Sequence, residues 1–327
     1  MSETFDIVLL LALPASGKSE VRRFLANVEP ERLKNDFHIG SNLQLDDFPY
    51  VHMMRRADDE LVKLGKSRLF FKAGDKPFIN TRDWGTLIHL LNEDYRDLMG
   101  KKVAKTDSAA DLLMRRIDKA GELAAIAPRL SALDKTVRST VAGALEKEAR
   151  AMLEEKHAAY PESFEGKTIV IEAARGGPDG SSFPLPSPLG YQYSLGEMDP
   201  EILKRAVILY VWVTPEESRR KNTARTNPDD PGSILHHGVP MEVMLNDYGC
   251  DDMDYLENNS EVAGSITVTA RGQKFHIPIG RFDNRVDKTS FLRAEKGDWD
   301  PAMVADITNG IKSATDKLYS LITPVKK

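Results

Sequence analysis

Ser16, Gly17, Lys18 and Ser19 have the types and spacing that hold a phosphate chain. A glycine lets the backbone approach phosphate oxygens, and successive N–H groups at a helix start supply partial positive charge. A lysine reaches the outer phosphates, and a serine hydroxyl is suited to ligate Mg2+. With the preceding turn, the candidate binding segment is Pro14, Ala15, Ser16, Gly17, Lys18 and Ser19. Two later segments offer carboxylates. Asp46 and Asp47 follow the short apolar run Leu43-Gln44-Leu45, and Glu172 closes the run from Lys167. A carboxylate beside bound phosphates serves as base for an acceptor hydroxyl or as a group near Mg2+. Spacing does not choose between Asp46 and Asp47, and an Asx turn before Pro49 is the plainer reading of the pair. Glu172 is read as a metal-side group with Ser19, or as a cap of the next turn, and Arg175 is expected to face the same cleft. A third cluster, Arg219, Arg220 and Arg225, belongs to a segment dense in arginine, where Glu216 and Glu217 offer the alternative of a solvated, self-paired face.

The elements that must position these groups are legible around them. Ile7 to Leu11 is a continuous apolar run of the kind buried on both faces of a parallel sheet. It predicts strand, loop and then a helix over Glu20 to Asn27, with Arg22 and Arg23 on the solvated side. Lys167 to Ala174 and Ala206 to Val213 are further core strands, and Thr214-Pro215-Glu216-Glu217 predicts a capped helix start after the last. Residues 52 to 65 read as a helix, Arg68 to Lys72 and Lys76 to Asn80 as short strands, and Trp84 to Met99 as a helix. Two amphipathic helices follow between Ser108 and His157, divided at Pro128 and by a capping box from Ser131 to Asp134. Residues 178 to 196 read as an ordered loop able to close over a substrate. Asp199-Pro200 starts a short helix. Ile266 to Ala270 and Lys274 to Ile279 form a hairpin turning at Arg271-Gly272. Asp300-Pro301 starts a final helix with Met303, Ile307, Ile311 and Leu318 inward. The loop over 227 to 238, with His236 and His237, and the acids after Gly249 give no metal-ligand spacing.

Strand, Ala12-Leu13-Pro14-Ala15-Ser16-Gly17-Lys18-Ser19, helix, and a second strand running into Leu45-Asp46-Asp47-Phe48-Pro49-Tyr50 resemble the P-loop NTPase superfamily. The likeness is to its nucleoside and small-molecule kinases of the uridine kinase and phosphoribulokinase type, and more loosely to the zeta-toxin kinases. Ala12 departs from the pattern, which has glycine there, and this puts the loop geometry in question because alanine disfavours positive φ. The resemblance implies a three-layer α/β fold with a largely parallel sheet, ATP and Mg2+ as ligands, and Asp46 or Asp47 as base or substrate ligand. It implies Arg219, Arg220 and Arg225 on a lid helix as charge-neutralising groups, and the loop from Gly280 to Arg285 against the adenine. The expected core is 1–80 plus 164–327, with 81–163 a helical insertion, either a lid, a dimerisation hairpin or plain packing on the core.

In 327 residues with 41% hydrophobic content, the chain has the material for one large core. A net charge of −5 gives no general field toward nucleic acid or anionic membrane, so an end kinase of nucleic acids is disfavoured. A single cysteine, Cys250, excludes an internal disulfide. No leader and no membrane span are expected, which makes a cytoplasmic location the default. Two functions remain: a phosphotransferase acting on a small-molecule hydroxyl with a nucleotide as partner, and a nucleotide-dependent switch speaking to a protein partner or to a second copy.

Overall fold

The computed structural model describes residues 4–225 and 238–323. Its elements in chain order are β1 (Ile7–Leu11), α1 (Lys18–Ala26), α2 (Pro30–Phe37), β2 (Ser41–Asp46), α3 (Phe48–Lys63), α4 (Asp83–Met99), α5 (Ala109–Leu123), α6 (Lys135–Ala158) and β3 (Lys167–Ala173). There follow α7 (Gly190–Gly196), α8 (Pro200–Leu203), β4 (Ala206–Trp212), α9 (Pro215–Arg225), α10 (Met241–Asn246), α11 (Met253–Asn258), β5 (Ser265–Ala270), β6 (Gln273–Asp283) and α12 (Pro301–Ile322). The six strands form one sheet in the order β2-β3-β1-β4-β6-β5. All neighbours run parallel except the last pair.

The sheet is covered on both faces, which is why β1 reads as unbroken apolar sequence. Ile7, Leu9 and Leu11 enter one cluster with α4, α7, α8 and α11, and Val8 and Leu10 enter another with α1, α2 and α12. Ile307, Ile311 and Leu318 of α12 are fully buried, each stabilising by about 1.5–3 kcal/mol. Met303, expected with them, is 49% exposed, and its neighbour Val304 packs against the cluster in its place. A third apolar cluster joins α3, α4, α5 and α6. The helices over 83–158 therefore share a core with α3 and with Phe70, Phe71 and Phe78, which precede residue 81.

Local chemistry explains most departures from the sequence reading. The strands expected at 68–72 and 76–80 reduce to one bridge, Phe71 with Phe78. The buried Asp58 carboxylate takes the backbone N–H groups of Leu69, Phe70 and Phe71 at 2.6–3.2 Å, where a ladder would have used them. Helix α3 begins four residues earlier than expected, at Phe48, since Pro49 sits comfortably in a first turn. Asp134 caps α6 by accepting from Val137, whereas Ser131 is turned to Asp118. The expected hairpin forms with Arg271 and Gly272 both at positive φ, +47° and +76°, which matches the twist of the two strands. Beyond its pairing with β5, β6 continues to Asp283 alongside β4, so the segment expected as an adenine-side loop is strand through Asp283. The loop expected over 227–238 falls outside the described residues apart from Gly238. Among the described residues, no helix is long and apolar enough to cross a membrane.

Candidate functional site

The turn between β1 and α1 is fixed by contacts from distant parts of the chain. The Ser218 hydroxyl donates to the Pro14 carbonyl at 2.7 Å, the Asn284 amide to the Ser16 carbonyl at 2.6 Å, and the Tyr191 hydroxyl to the Ala12 carbonyl at 3.0 Å. Positive φ within the turn falls on Ala15 (+54°) and Gly17 (+104°). Ala12 does not need glycine's freedom; its methyl is buried in the apolar cluster under α1. Gly17 does need it. A Cβ there would stand 2.5 Å from Thr289 Oγ1 and 2.8 Å from Asn284 Nδ2. Gly17→Ala should therefore cost about 1–3 kcal/mol of stability, measured by urea denaturation; a loss under ~0.5 kcal/mol would show that the turn relaxes freely.

Pro14 through Ser19 line a cavity of about 180 Å3. The Lys18 amine lies 3.3 Å from the Ala12 carbonyl. The Ser16 hydroxyl is buried without a hydrogen-bond partner, although Ser16 is only 1% exposed. A buried hydroxyl left unpaired costs free energy that a ligand oxygen would recover. It lies just before the first turn of α1, whose N-terminal end favours an anion.

Asp46 and Glu172 sit side by side, as the β2–β3 register pairs them directly. Between them stands Arg22, its Nη1 2.6 Å from Glu172 Oε2 and 3.4 Å from Asp46 Oδ2. The solvated role expected for Arg22 is thus overturned. It follows Lys18 by four residues and so shares that residue's face of α1, a spacing that could have revealed it. The other Asp46 oxygen accepts from the Phe48 N–H at 2.9 Å, so the Asx turn exists as well and uses one oxygen only. Asp46 keeps 30% of its side-chain surface, but the protein packed around it and the neighbouring Glu172 and Asp47 charges outweigh Phe48 and Arg22. Its pKa is pushed up to about 7.

Asp47 has a different environment. Its carboxylate meets Arg175 Nη2 at 2.6 Å, and Arg175 is itself only 2% exposed. Arg175 also donates to Ser194 Oγ and the Ala174 carbonyl, and lies 5.0 Å above the Trp84 ring. The expectation that Arg175 faces the cleft is corrected: it stands behind Asp47 as an internal counter-charge.

Arg219 and Arg220 are not drawn into this cavity. Arg219 pairs with Glu216 and Asp179, and Arg220, 58% exposed, pairs with Glu217. The side chain of Arg225 lies outside the described residues. From the same helix, Lys221 is buried against Asp287 at 2.9 Å, and burial lowers its pKa. Among the described residues, the cations that line the cavity are Lys18, Arg22 and Arg55.

The far half of the cavity was not legible in the sequence. Phe71 and Phe78 stack at 4.4 Å, Trp84 meets Phe78 edge-on at 4.9 Å, and Tyr248 meets Trp84 edge-on at 5.5 Å. Arg55 lies 3.8 Å over Phe71, and Asp247, whose pKa burial pushes up to about 7, closes this aromatic recess. Among the described residues, no group of three or more His, Cys, Asp or Glu side chains is arranged to hold a metal by itself. Mg2+ commonly takes one or two carboxylates, phosphate oxygens and waters. The Ser19 hydroxyl with Glu172, both lining the cavity, fits such a donor set. Compared with protein-family models, curated proteins and solved structures, the chain matches none.

Proposed function

We propose that this protein is an ATP- and Mg2+-dependent phosphotransferase of the P-loop NTPase type, moving the γ-phosphate to a hydroxyl of a small molecule. The observation that carries the reading is convergence within one cavity of the Pro14–Ser19 turn, with its unpartnered Ser16 hydroxyl, and a carboxyl titrating near neutrality at Asp46. The strand order, with β1 flanked by β3 and β4, agrees with it.

In this reading the turn and the first N–H groups of α1 hold the phosphates, and Lys18 neutralises the outer ones. Mg2+, when bound, would spread the charge that develops on the transferred group. Asp46 accepts the proton of the acceptor hydroxyl, since a base with a pKa near the working pH is well matched to that task. Arg22 holds Glu172 and Asp46 in register and keeps Asp46 from rising further. Asp47, at the N-terminal end of α3, is held by Arg175. The aromatic recess holds the apolar part of the acceptor away from water. Such a recess has no task in a switch that only hydrolyses nucleotide, and this favours transfer.

The test is calorimetric titration with ATP and Mg2+ beside Lys18→Ala. One charge-assisted contact is worth about 1.5–3 kcal/mol, so affinity should fall ~10- to 150-fold in the variant. Absence of binding in the unmodified protein would end the reading.

A further inference from the structure

A second cavity, about 510 Å3, lies between β2 and the pair α5 and α6. We propose that it is a docking groove for an extended peptide segment, added as a further strand on the open edge of β2. Asn42, Leu43, Gln44, Leu45 and Asp46 all line it. Successive side chains of a strand point to opposite faces, so a space bordered by five in succession lies along the strand's edge. That edge is open. Among the described residues β2 pairs only with β3, and in a parallel ladder every second residue directs its N–H and C=O away from its partner. The usual protections of an edge, a lysine, a proline or a bulge, are missing from Ser41 to Asp46.

Two orphaned groups identify the chemistry of the occupant. Asn42 Oδ1 and Arg22 Nε are buried without hydrogen-bond partners, and both residues border the groove. One is an acceptor near the start of β2 and the other a donor beside Asp46 at its end, and separate N–H and C=O groups of an extended peptide answer both. The charged floor asks for nothing more. Asp94 is met by Tyr50, Arg116 and Lys156 at 2.5–2.7 Å, so a neutral backbone suits the groove better than a charged head group. Opposite β2, Leu112 and Leu113 of α5 and Met152 and Leu153 of α6 form an apolar wall for alternate side chains of the added strand.

The test uses the full chain, labelled for amide hydrogen exchange. The probe is a pool of acetylated, amidated hexapeptides alternating apolar residues with Ser or Thr. We expect saturable binding by pool members and slowed exchange at β2 amides. N-methylation of alternate peptide amides should weaken binding about tenfold or more, the loss of one or two backbone hydrogen bonds. Leu153→Trp, which fills the groove from a half-buried position, should abolish peptide binding while ATP titration is unchanged. Several results would overturn the proposal: no protection of β2 by any pool member, equal binding of N-methylated peptide, or displacement by decanol, which would mark a small amphipathic occupant. A concentration-dependent dimer that protects β2 would assign the edge to a second copy instead, and would overturn it too.

Discussion

Asp46→Asn should lower the rate of phosphoryl transfer by about 10²- to 10⁴-fold, the range that a positioned general base contributes, with ATP affinity nearly unchanged. Asparagine keeps the shape of the side chain and can still accept from the Phe48 N–H, so the start of α3 survives. It loses the ability to take a proton. The pH profile supplies an independent check with a definite sign. Asp46 has a raised pKa, about 7, so it is protonated below that pH and basic above it. With saturating acceptor, the rate should climb tenfold per pH unit below about 7 and level off above. Arg22→Met removes the cation that opposes burial and the Glu172 charge, and should move the rise to higher pH. A rate that stays flat from pH 5 to 8, or an Asp46→Asn enzyme of normal rate, would remove Asp46 from the chemistry.

The second large effect is structural. Arg175→Met should destabilise the fold by about 3–5 kcal/mol, because it leaves the Asp47 carboxylate buried without its counter-charge. Asp47 keeps only 10% of its side-chain surface, and Ser194 Oγ and the Ala174 carbonyl lose a donor at the same time. Adding Asp47→Asn to Arg175→Met should restore a large part of the loss, since the penalty comes from the stranded charge more than from the missing attraction. Urea denaturation of the single and double variants measures this. A single-variant loss below ~1 kcal/mol would mean that water reaches Asp47 and that the pair acts like one at the surface.

These two carboxylates show where the sequence was informative and where it stopped. Their position at the end of a short apolar run marked both as candidates. What separates them is Arg175, which arrives from beyond β3, and Glu172, which the register sets beside Asp46. The core strands β1, β3 and β4 were legible because strands buried on both faces must be apolar throughout. Helices α2, α10 and α11 were not, being six to eight residues long with too few turns for a periodic signal. The Ser16–Ser19 turn announced itself by residue type. Phe71 and Phe78 meet locally across one bridge, but Trp84 and Tyr248 join them only after α4 and the segment around Tyr248 have packed, and nothing in the local sequences marks those two as their neighbours.

The way the β1–α1 turn is held also orders events during synthesis. Ser218 reaches Pro14 across 204 positions of chain, and Asn284 reaches Ser16 across 268. Contacts so distant in sequence form late. On the ribosome, the residues of the turn emerge well before Ser218 and Asn284, and they wait for both before their geometry is set. Until β6 has docked beside β4 and α12 has covered it, Val8, Leu10 and Phe24 lack part of their apolar cover. A nascent chain halted before Asn284 would carry the signature without the clamp, exposing apolar surface of the kind that chaperones engage.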